Sequence, residues 1–157
     1  MSRKKILVIA MFILIIILVI MPAKPIVVNY DHMAGGDVRE LIVYFSSDRS
    51  GLERHHYMTC SLSGDVAGYD QPSNHGLMVL GVGINKLKAS KAYEAKISFV
   101  KSSDTPPYYV TKADLLTQFS GKNKIPCVVA ESNYFSPDTK SKPFFIPVVE
   151  ILSVIKL

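Results

Sequence analysis

The chain predicts a small mainly β or α+β domain: an antiparallel sandwich or partly open barrel with one short helix, preceded by an N-terminal transmembrane or signal helix. Three observations lead there. An unbroken apolar run extends from Ile6 to Met21, short β-branched and aromatic segments bounded by turn residues follow one another, and a single capped amphipathic stretch begins at Thr111.

The opening Met1-Ser2-Arg3-Lys4-Lys5 places three cations before the apolar run, the order of an export signal. Sixteen apolar residues make roughly 24 Å of helix, a little less than a hydrocarbon core of about 30 Å. Lys5 and Lys24 can snorkel to absorb the difference. A signal peptidase wants small residues one and three positions before its cut, and Met21 stands three before a cut after Ala23. Residues 1–24 therefore read as an uncleaved signal anchor, with a cleaved signal peptide as the alternative. Either way Arg3, Lys4 and Lys5 stay in the cytoplasm and the remainder is exported. The expected location is the bacterial inner membrane, single-pass, with the C-terminal domain periplasmic, or periplasmic or secreted if the signal is removed. Residues 25–37, with Pro25, Gly35 and Gly36, read as a tether, and residues 38–157 as one exported domain.

Within that domain Val38 to Phe45 is the first expected strand. His55 to Leu62 alternates, with His56, Met58, Cys60 and Leu62 on one face. Leu77 to Ile84 is apolar but interrupted by Gly81 and Gly83, which predicts a buried strand with a bulge. Tyr93, Ala95, Ile97 and Phe99 alternate with polar residues, as a half-buried strand does. Ile125 to Ala130 and Phe144 to Leu157 complete the set, with a bend or edge position at Pro147. Thr111 and Asp114 have capping-box spacing. Ala113, Leu116 and Phe119 then offer an apolar stripe and Gly121 a stop. Asn85 to Lys91 allows a shorter helical turn.

Charge placement excludes one class of partner. Of the net +5, Arg3, Lys4, Lys5 and Lys24 supply four, leaving 14 Lys+Arg against 13 Asp+Glu from Pro25 onward. A nearly neutral domain has no electrostatic footprint for nucleic acid. The charge is divided, however. Residues 25–85 carry 3 basic and 7 acidic side chains, and residues 86–157 carry 11 basic and 6 acidic. Lys86, Lys88 and Lys91, with Lys96 and Lys101, form a candidate basic face for an acidic partner or anionic headgroups.

Cys60 and Cys127 are the only cysteines, and in an oxidising compartment an even pair reads as a disulfide. Two separate buried thiols are the alternative. His56 and Cys60 share a strand face but stand roughly 13 Å apart, too far for one zinc. Neither Gly81-Val82-Gly83 nor the Ser98-x-x-Lys101 spacing has the helix its motif requires. Asp31, His32 and Asp37 form a small polar group that a solvated linker explains. No cofactor is implied. Tyr108 and Tyr109 after two prolines, and Tyr134 and Phe135 in a turn-rich stretch, are candidate recognition aromatics.

No nucleophile is paired with a base at defined spacing, so an envelope hydrolase is the weakest reading. The expectation is a tethered protein-binding module, such as an immunity protein against an exported toxin. The alternative is a small bitopic subunit of a secretion, conjugation or other envelope complex. Oligomeric state is not legible.

Overall fold

The computed structural model describes residues 24–37, 39–65, 69, 73, 76–88, 91–102, 110–131 and 140–155. The expected span from Ile6 to Met21 lies outside them. Among the described residues no helix is long and apolar enough to cross a membrane.

The fold is mostly β. Its elements are β1 (Val28–Asp37), β2 (Glu40–Ser47), β3 (His56–Cys60), β4 (Leu77–Lys86), β5 (Ala92–Lys101), α1 (Lys112–Phe119), β6 (Lys124–Glu131), β7 (Phe144–Pro147) and α2 (Val148–Val154). They make two antiparallel sheets, one in the order β1-β2-β5-β4 and the other β3-β6-β7. In β2, Leu41, Val43 and Phe45 are buried while Ile42 and Tyr44 are half-buried. β5 buries Tyr93, Ala95, Ile97 and Phe99 in the same rhythm. These side chains meet Met58 and Cys60 of β3 and Ile125, Cys127 and Val129 of β6 in one continuous core. Each large aliphatic or aromatic side chain removed from water there contributes about 1.5–3 kcal/mol.

The sheets meet at two seams. At the first, β4 runs so close over β3 that a Cβ on Gly81 would lie 1.9 Å from the Met58 carbonyl oxygen. Only glycine permits that approach. The expected irregularity follows immediately: the β4–β5 register slips between Gly81 and Gly83. Leu77 and Val79 are buried before the slip and Ile84 after it, which leaves Leu80 and Val82 outside. The expectation of a wholly buried strand is corrected accordingly. At the second seam the Lys142 amide donates to the Ile26 carbonyl at 2.9 Å, joining the approach to β1 with the approach to β7.

Four further sequence expectations are corrected. Residues 25–37 are not a free tether, because Val28–Asp37 is strand β1, paired along its length with β2. Asn85 and Lys86 continue β4 instead of turning helical, and the hairpin closes with the Leu87 amide on the Ala92 carbonyl. Phe144 to Leu157 is strand only to Pro147, where α2 begins. Proline has no amide to extend the ladder and its φ of −64° suits a helix entry. The Val148 amide finds the Asn123 carbonyl at 2.9 Å, while Val148, Ile151 and Ile155 turn inward.

The fourth correction concerns the phase of α1. Its capping box forms as expected, with the Asp114 amide on the Thr111 hydroxyl and the Thr111 amide on the Asp114 carboxylate. The buried face, however, is Leu115, Gln118 and Phe119, leaving Ala113 and Leu116 exposed. Gln118 can be buried because both ends of its amide are satisfied. Its Oε1 accepts from the Ser73 hydroxyl at 2.7 Å and its Nε2 donates to the Leu62 carbonyl at 2.7 Å.

Candidate functional site

The basic face expected along residues 86–101 is divided by the fold. Lys86 closes β4, while Lys88 and Lys91 sit in the hairpin that follows, all three exposed. Lys96 lies on the outer face of the four-stranded sheet, where its Nζ is 2.7 Å from the Glu40 carboxylate. Lys101 is at the opposite end of β5, held 3.0 Å from Asp114. What joins Lys86, Lys88 and Lys91 instead comes from distant sequence. Strand register puts the start of β1, the end of β2 and the start of β5 side by side, through Val28 opposite Ser47 and Ser46 opposite Ala92. The Ser47 amide reaches the Lys91 carbonyl at 3.1 Å, and the Val27 amide reaches Asp48 at 2.9 Å. Lys24, Arg49 and Lys142 therefore share this end of the domain. Sequence spacing does not reveal that grouping, because three separate segments build it.

The second surface is the outward face of the four-stranded sheet. Leu80 and Val82 are 45% and 68% exposed, large values for aliphatic side chains in a strand. Val82 lies beside the Glu40–Lys96 pair and the Asp37–Arg39 hairpin. The Ser98 hydroxyl donates to the Arg39 carbonyl and ties that hairpin to β5. Arg39 holds the Asp37 carboxyl well below the usual range, at about 2, through its side-chain and backbone hydrogen bonds. Asp31 and His32 are also here, 3.1 Å apart, and the His32 ring stacks on Tyr44 with centroids 4.4 Å apart. Asp31, His32 and Asp37 thus belong to a strand and its hairpin, and Asp37 is engaged by Arg39.

Cys60 and Cys127 are bridged. They sit directly opposite on β3 and β6, so the bond pins two strands already paired by their backbones. The candidate aromatics Tyr108, Tyr109, Tyr134 and Phe135 lie outside the described residues. So do Ile6 and Met21.

Three half-buried polar groups have shifted chemistry. Burial lowers the pKa of His56, against the opposing pull of Glu131, and both its ring nitrogens are enclosed without a hydrogen-bond partner. Tyr30 donates to the Glu150 carboxylate, and burial together with that carboxylate pushes its ionisation far upward. Burial lowers the pKa of Lys122, whose ammonium donates to the carbonyls of Leu62 and Gln118. These contacts link β1 to α2 and α1 to the segment after β3. They do not converge on one cleft. Among the described residues no three His, Cys, Asp or Glu side chains gather closely enough to hold a metal ion.

Comparison with protein-family models, with characterised proteins and with solved structures finds no match to this chain.

Proposed function

We propose that this chain is a membrane-tethered, extracytoplasmic protein-binding module, in which a partly open barrel of two sheets presents a partner surface. The leading form of that reading is an immunity protein that captures an exported toxin. A small bitopic subunit of a secretion or conjugation complex is the alternative. The observation that carries the reading is the outer face of the four-stranded sheet. Leu80 and Val82 stand exposed on the edge strand β4, and Ile42 and Tyr44 lie half-buried on β2, with Glu94, Lys96 and Ser98 of β5 between them and Glu40, Asp37 and Arg39 nearby. Exposed aliphatic side chains interleaved with charged ones are the chemistry of a non-obligate protein interface. Tethering raises the effective concentration of such a module where an incoming protein would meet the membrane.

The test is to place a photo-crosslinking side chain at Val82 in living cells, with one at half-buried Lys112 as control. One discrete protein adduct at Val82, absent at Lys112, is expected. Under the immunity form, cells deleted for this gene are inhibited by neighbours that carry the surrounding locus. Wild-type chain rescues them, whereas the Leu80→Glu/Val82→Glu chain does not. Equal, diffuse labelling at both positions removes the reading.

A further inference from the structure

We infer that the end of the domain where the chain enters is a basic platform for an anionic membrane surface, seating the domain on phosphate-bearing lipid headgroups. The inference rests on the tether reading above and deepens it by naming which surface faces the bilayer.

Two independent observations carry it. The first is where the cations are. Lys24, Arg49, Lys86, Lys88, Lys91 and Lys142 are all exposed at the end of the fold that holds the start of β1. The tie between Lys142 and Ile26 and that between Lys91 and Ser47 fix this grouping in the backbone, independent of side-chain rotamers. The acids at that end are fewer: Asp48, Glu53, Glu94 and Glu131. Asp48 is engaged by the Val27 amide. The second observation is how cations elsewhere are used. Arg39, Lys96 and Lys101 each sit within 3.0 Å of a carboxylate. None of the ion pairs among the described residues involves the six cations of the entry end. Three cations elsewhere are thus neutralised by carboxylates, and the six at this end are not.

The occupant follows from distance. Only Pro22 and Ala23 separate the apolar run ending at Met21 from Lys24. Three residues of extended chain span roughly 10 Å, about one Debye length at moderate salt. Wherever residues 6–21 enter a bilayer, the platform is within electrostatic reach of its headgroups. A folded acidic protein would have to squeeze into that gap. Guanidinium and ammonium groups suit phosphate oxygens, and each basic side chain near such a surface strengthens contact by roughly fivefold.

The test uses the full chain reconstituted into nanodiscs of phosphatidylcholine alone, or of phosphatidylcholine mixed with phosphatidylglycerol. Lysines are acylated and read by mass spectrometry. Lys88, Lys91 and Lys142 should be protected about fivefold or more in the anionic discs only, and released by high salt. Lys112 and Lys124, at the far end, should react equally in both. Arg49→Glu/Lys88→Glu/Lys142→Glu should weaken contact by at least about a hundredfold and abolish the protection. The salt arm gives the same readout on wild-type chain, so it stands even if that variant misfolds. Chain that enters both discs with equal lysine reactivity overturns the platform alone. Failure to enter either disc overturns the tether, and the platform with it. Protection seen only in native membranes would assign the surface to an acidic protein and overturn the lipid assignment.

Discussion

The two sheets handle burial in opposite ways. In β2 and β5 of the four-stranded sheet, every second residue is buried and the alternate residues face outward. In β6 of the three-stranded sheet, Ile125 through Ala130 are buried without a break. One sheet thus keeps a face open to water, while the central strand of the other has both faces covered. The difference teaches where function can reside: a strand covered on both sides can only hold the fold together. The sharpest way to break the arrangement is to separate the sheets where they touch. Gly81→Ala would drive a methyl group into the Met58 carbonyl, a backbone atom that cannot rotate aside. The expected loss is comparable to the whole 5–15 kcal/mol that holds an ordinary domain. Circular dichroism should show an unfolded chain, and a cooperative urea transition near the wild-type midpoint would refute the seam.

Next in size is the bridge within the three-stranded sheet. Cys60 and Cys127 are 67 residues apart in sequence, so the bond closes a long loop in the unfolded chain. The chain-entropy account puts its contribution at about 4 kcal/mol. A Cys60→Ala/Cys127→Ala chain should lose about that much in urea unfolding, with little change on reduction. Wild-type chain should lose it only when reduced. Two free thiols titrated in denatured, unreduced protein would remove the bridge altogether.

Legibility in the sequence followed the same division. Alternation exposed β5 because half-burial prints a period of two onto the residues. The capping box of α1 was equally local, since Thr111 and Asp114 interact across three positions. The buried phase of that helix was not, because Gln118 looks like a surface residue until Ser73 and the Leu62 carbonyl satisfy its amide. α2 was hidden for a related reason: Val148, Val149, Ile151 and Val154 have strand propensities, and tertiary packing overrides them. β1 was mistaken for a linker because Gly35 and Gly36 mimic one, and its pairing with β2 is what orders it. As for the candidate surfaces, Lys86, Lys88 and Lys91 could be read locally. Arg49, Lys142 and the exposed pair Leu80 and Val82 could not, since each depends on strand register or on a bulge.

A smaller test measures the contrast directly. Ile125→Ala removes a fully buried side chain from β6 and should cost about 3 kcal/mol. Ile42→Ala, on the outer face of β2, should cost a fraction of that, because its side chain is only half enclosed. Equal losses would mean that the outer face of the four-stranded sheet is covered.

The smallest effect belongs to His56, at the start of β3 opposite Glu131. Burial depresses its pKa below the ordinary 6.5, assisted by the positive charges of Arg49 and His55 and opposed by Glu131. The folded protein therefore resists a proton that the unfolded chain accepts. In that window the unfolded state binds more protons, so stability rises with pH. The contribution is complete above about pH 6.5 and is lost as pH falls through the lower, folded value. Urea midpoints should accordingly decline as pH falls below about 6.5. His56→Gln should flatten that decline, whereas His55→Gln, on an exposed neighbour, should leave most of it in place. A slope that survives His56→Gln unchanged would show that His56 accepts its proton as easily folded as unfolded.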